Sequence, residues 1–99
     1  MKIEYLEAAM HDLDSIMDYY YGQFGLESAM KVYDQIKSSI AHLADQPQMG
    51  VPSKDRLLKQ LGYRELYSGR FVIVYRPEHD IVYIYHIADT LRDYPNLFK

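Results

Sequence analysis

Few side chains in this sequence could do chemistry, and their spacing decides which chemistry is open to them. The 99 residues include no cysteine, which removes disulfides, thiolate catalysis and cysteine-based zinc sites together. His11, Asp14 and Asp18 fall on one side of a helical stretch and could be drawn as a metal site. No fourth ligand accompanies them, and such a side reads as a solvated face. No metal and no cofactor are therefore expected. Arg70 and Arg76 bracket one strand and could hold a phosphate or a carboxylate, or merely keep a sheet margin in water. His86 falls among apolar residues of one strand face, so it reads as a buried, hydrogen-bonded histidine, with catalysis as the competing role. The run Tyr83-Ile84-Tyr85 offers two phenols on the opposite face, suited to sheet packing or to contact with a partner.

Those residues need a sheet to position them. Three stretches rich in β-branched and aromatic residues, around Tyr63 to Tyr67, Arg70 to Arg76 and Ile81 to Ile87, are separated by Ser68-Gly69 and by Pro77-Glu78-His79-Asp80. That pattern predicts a three-stranded antiparallel meander. With side chains alternating, one face gathers Leu66, Phe71, Ile73, Tyr75, Val82, Ile84 and His86. The other gathers Tyr63, Glu65, Tyr67, Arg70, Val72, Val74, Arg76, Ile81, Tyr83, Tyr85 and Ile87, an apolar middle ringed with hydroxyls and charge.

The first face needs a lid, and the N-terminal half supplies it. From about Ala8 to Tyr21 the residues Ala9, Leu13, Ile16, Met17, Tyr20 and Phe24 recur at spacings of three and four; from about Leu26 to Ala44 so do Ala29, Val32, Tyr33, Ile36, Ile40 and Leu43. Gly22 and Gly25 lie between the two helices, and Pro47 stops the second. Lys2 to Leu6 alternates and could add a strand. Gln46 to Pro52 reads as a loop leading through the basic segment Lys54, Arg56 and Lys59. The expected fold is α+β in the order β-α-α-β-β-β: an N-terminal strand, then a helical hairpin packed on one face of a small, four-stranded antiparallel sheet. Residues 1–99 form a single domain in this reading.

Composition limits the function. A net charge of −3 does not favour non-specific binding to nucleic acid. No apolar run approaches a membrane span, and Met1 to Tyr5 lacks the pattern of a secretory signal, so a cytoplasmic protein with no membrane partner is expected. Eleven tyrosines, three phenylalanines and no tryptophan bias the aromatic set towards rings with a polar tip, which suit contact surfaces.

The order of elements and several local signatures resemble the RelE/ParE superfamily of bacterial type II toxins, and its ParE branch in particular. The resembling residues are Asp12-Leu13-Asp14-x-Ile16 with Tyr19, Phe24-Gly25, Ala29 with Tyr33, Pro47-x-Met49-Gly50-x-Pro52, Gly62-Tyr63-Arg64, Ser68-Gly69 and Val72-x-Val74-Tyr75-Arg76. The resemblance implies a growth-inhibiting toxin silenced by a cognate antitoxin. Its target would be DNA gyrase in the ParE branch, or the ribosome and its mRNA in the RelE branch. Matched from Tyr75 backwards, the positions that carry the cations of the mRNA-cleaving branch fall on Tyr63, Glu65 and Val72, and a Glu beside a scissile phosphate would raise the barrier. The superfamily's Arg-Asp tail is matched by Asp89-Thr90-Leu91-Arg92-Asp93-Tyr94-Pro95, with Asp89 where a His is often found. The resemblance thus implies a binding inhibitor of gyrase; were there a reaction centre, Arg70, Arg92 and His86 would be its candidates. Partner contacts are expected from Arg70, Arg76, Tyr83, Tyr85 and Arg92, where an acidic antitoxin segment could form charge-assisted hydrogen bonds.

Overall fold

A computed structural model describes residues 1–92. The element order is β1 (Lys2–Tyr5), α1 (Glu7–Phe24), α2 (Leu26–His42), β2 (Val51–Pro52), α3 (Arg56–Gln60), β3 (Arg64–Ser68), β4 (Phe71–Glu78) and β5 (Ile81–Asp89). Helices α1 and α2 bury the stripes their spacing predicts: Ala9, Leu13, Ile16 and Tyr20 on one, Ala29, Ile36 and Ile40 on the other. They close over Phe71, Ile73, Tyr75, Val82, Ile84 and Ile87 of the sheet. Phe24, at the hairpin's end, is 60% exposed and meets the stripe through Tyr20, the two ring centroids 5.8 Å apart.

A single residue turns the hairpin. Gly25 has φ +92, its N–H bonds to Tyr21 O at the end of α1, and its carbonyl accepts from Ala29 N to open α2. The requirement is conformational, since a Cβ there would meet nothing within 4 Å. Gly22 takes no part in the reversal: α1 runs through it to Phe24, because packing of the apolar stripe outweighs the roughly 1 kcal/mol that glycine costs inside a helix.

The α+β architecture and the β-α-α-β-β-β sequence of main elements are as expected, while the sheet has five strands in the order β1-β5-β4-β3-β2 and is mixed. β1 pairs with β5 in parallel, Lys2 beside Ile81 through Tyr5 beside Ile84; the other ladders are antiparallel. Period-two alternation specifies a strand's faces but not its partner or direction, and the long connection from β1 to β5, through the helices and the other three strands, gives the length that a parallel pair requires. The fifth strand is the short β2, within the stretch expected to be loop; it pairs Val51 and Pro52 with Glu65 and Arg64.

A β-bulge corrects the face assignment. Tyr75 pairs with Ile84 but Val74 pairs with His86, so Tyr85 is the extra residue and the alternation of β5 reverses beyond it. Ile87 therefore enters the core in place of His86, and Asp89 follows it to the helix side. The face away from the helices is not an uncovered apolar one: Val72, Val74 and Ala88 are 0–2% exposed, and Ser53 and Lys54 come against it to bind Glu65. No helix among the described residues is long and apolar enough to cross a membrane.

Candidate functional site

The expected site residues divide into three groups, of which the second and third meet at Tyr85. The first lies where α1, the β3–β4 turn and the end of β5 meet. Gly69, at φ +60, opens a two-residue turn that projects Arg70 across to Asp89. Arg70 holds that carboxylate with both Nε (3.0 Å to Oδ1) and a terminal nitrogen (2.8 Å to Oδ2). Tyr20 donates its hydroxyl to Oδ2 and Leu91 its N–H to Oδ1. Burial alone would raise the pKa of Asp89, but the hydrogen bonds from Arg70 and Leu91, with the guanidinium charge, outweigh it and hold the carboxyl below its ordinary value. Burial and the nearby Asp89 carboxylate raise that of the Tyr20 phenol. The Arg70 guanidinium also lies 5.7 Å from the centroid of the Tyr20 ring, and that of Arg92 4.1 Å from the Tyr19 ring. Arg70 is thus a structural cation first. The tail residues Asp93 to Pro95 lie outside the described residues.

The second group is built on β5 where β1 has ended. Leu6 N makes the last bond to Ile84 O, and one turn into α1 the Asp12 carboxylate takes over the strand's free edge. One oxygen, Oδ2, accepts from Ile87 N at 2.9 Å and sits 2.8 Å from Nδ1 of His86. His86 is consequently not a core histidine: its ring is oriented by a carboxylate and packs edge-on against Tyr85, centroids 4.5 Å apart. Along the chain Asp12 stands out only within the Asp12-Leu13-Asp14-x-Ile16 run, and its pairing with His86 has no local signal.

The third group lies on the face away from the helices. The register places Tyr83 between Glu4 and Arg76, and Arg76 pairs with Glu78 with its guanidinium 5.6 Å from the Tyr63 ring. Tyr63, Arg76, Glu78, Tyr83 and Leu6 line an open pocket of about 220 Å³, and the tilted ring of Tyr85 packs on Tyr63 with centroids 5.0 Å apart. Two further positions on this face are closed. Glu65 is wholly buried, accepting from Ser53 Oγ (3.1 Å), Lys54 N (3.1 Å) and the Tyr67 hydroxyl (2.8 Å); Val72 has no exposed surface. His11 lies away from all three groups, exposed on α1 and 3.8 Å from Glu7.

Along residues 3–94 the sequence matches the family model of the ParE toxin of the type II toxin-antitoxin system, parDE. Toxin ParE1 of Caulobacter vibrioides is 34% identical over 68 residues, 69% of this chain and 68% of that protein. Among solved structures, one of the chromosomal ParDE toxin-antitoxin system from P. aeruginosa superposes with a TM-score of 0.76 at 26% identity, covering 90% of this chain and 95% of the other.

Proposed function

The chain belongs to the ParE toxin family of type II toxin-antitoxin systems, and from that premise we propose that it arrests growth by binding and inhibiting DNA gyrase, as an inhibitor with no reaction centre of its own. An antitoxin is the partner its family implies. The observation that carries the gyrase reading is the state of Glu65 and Val72. In the mRNA-cleaving branch of the superfamily the matching positions supply cations to a phosphate; here one is a carboxylate buried under three donors and the other an apolar side chain with no surface. Tyr63, the third, is engaged with Arg76 and Tyr85. A phosphate brought to these positions would meet a buried carboxylate and an apolar side chain where that branch supplies cations.

The test uses purified toxin in two assays. Supercoiling of relaxed plasmid by gyrase should fall as toxin is added and recover when the antitoxin is supplied. Messenger RNA on translating ribosomes should remain intact. Codon-specific cuts in the second assay would overturn the gyrase reading in favour of the ribonuclease one.

A further inference from the structure

Among the described residues three elements of the fold, β1, β2 and α3, bury none of their own residues, and only α3 is a helix. Helix α3 has no buried side chain, yet it is held in place by polar pins. Asp55 caps it, Oδ1 accepting from Leu58 N at 2.9 Å; Ser53 Oγ accepts from Asp55 N and donates to Glu65; and Glu65 also holds Lys54 N. A buried carboxylate without a cation partner in that network is a costly way to fix five residues of surface helix. What the helix displays is specific. Leu57 and Leu61, four residues apart, are 63% and 52% exposed, and Lys54, Arg56 and Lys59 around them are exposed, none of them in an ion pair among the described residues. Three unneutralised cations beside two open leucines stand on a chain whose net charge is −3 and whose α1 carries Glu7, Asp12, Asp14 and Asp18 with no Lys or Arg.

We propose that α3 is the surface through which this toxin engages its target protein, taking an acidic segment in which carboxylates flank apolar side chains. The carboxylates would meet Lys54, Arg56 and Lys59, and the apolar groups would cover Leu57 and Leu61. The leucines decide for protein over nucleic acid, because a phosphate backbone recruits cations and gains nothing from exposed aliphatic groups. A rigidly pinned helix loses little freedom on binding, which gives a reason for the buried Glu65. The inference rests on the toxin reading, and with gyrase as the target it names where gyrase is touched.

The test compares wild type with Arg56→Glu/Lys59→Glu and with Leu57→Asp/Leu61→Asp, all on exposed positions, so the thermal midpoint should not move. Each double variant should lose growth arrest in cells, raise the toxin concentration for half-inhibition of purified gyrase at least about tenfold, and bind antitoxin in surface plasmon resonance as wild type does. Loss of growth arrest with no wild-type effect on gyrase would keep α3 as the target surface and remove gyrase as the target. Growth arrest undiminished in both variants would overturn the inference, as would loss of antitoxin binding in place of target binding. A wild type that retards a short DNA duplex, with retardation lost only in the charge variant, would overturn it in favour of nucleic acid.

Discussion

Arg70 and Asp89 form a two-pronged ion pair in which the partners have opposite fates: the carboxylate is wholly buried, while the guanidinium side chain keeps 40% of its surface. The pair joins the β3–β4 turn to the end of β5, and Tyr20 ties both to α1. The asymmetry has an energetic consequence. Arg70→Ala strands a buried charge and should cost about 3 kcal/mol, whereas Asp89→Asn leaves an arginine that water can reach and should cost less. Urea unfolding at neutral pH measures both; an equal cost would show that Asp89 is solvated in the native state.

Acid should act through the same residue. The folded pKa of Asp89 lies below its unfolded value, so its contribution to stability is present above the unfolded carboxylate range near about pH 4 and is lost as pH falls through the folded value. Wild type minus Asp89→Asn, measured as unfolding free energy, should be constant from pH 7 to about 5 and shrink below about 4. A difference unchanged at about pH 2.5 would mean that the carboxyl is not held low.

The core prediction concerns Ile16, Ile36, Ile73 and Ile84, each 0–1% exposed between hairpin and sheet. Truncation of any one to Ala should cost about 2–5 kcal/mol, a large share of the stability of a domain of this size. Thermal unfolding reads this directly, and an unmoved midpoint for Ile73→Ala would contradict its place in the core.

The loop before β2 is held by the Arg64 guanidinium, which donates to Gln48 O and Gly50 O, and by one phenol. Tyr75, wholly buried, donates to Pro47 O (2.9 Å) and accepts from Gly50 N (2.9 Å). Tyr75→Phe should cost about 1–3 kcal/mol because Gly50 N–H loses its acceptor. Gly50→Ala would place a Cβ 2.6 Å from Glu65 O and 2.8 Å from the Tyr75 hydroxyl, so it should destabilise by about as much through overpacking. Amide exchange should speed up at Gly50 in the Phe variant; protection equal to wild type there would show that another acceptor replaces the phenol.

The sequence by itself determined the main elements and most of the core, though not the short β2 and α3. Spacings of three and four in α1 and α2 are a consequence of helical geometry, and alternation in β4 is a consequence of the pleat, so Ile16, Ile36, Ile73 and Ile84 could be assigned before any fold was known. The family resemblance was carried by the same local residues, because turns and stripes are written in nearby positions. Tertiary structure alone decided the rest. One extra residue at Tyr85 exchanged His86 for Ile87, and a ladder slip of that kind leaves no trace in composition. The direction of β1 depends on a crossover that alternation does not encode. Asp12 meets His86 across 74 positions of sequence and Arg70 meets Asp89 across 19. None of these partners can be named from the chain alone, because each pair forms only when burial and a partner arrive from a distant segment. The same holds for α3, whose exposure of Leu57 and Leu61 is set by how Glu65 pins the segment before it.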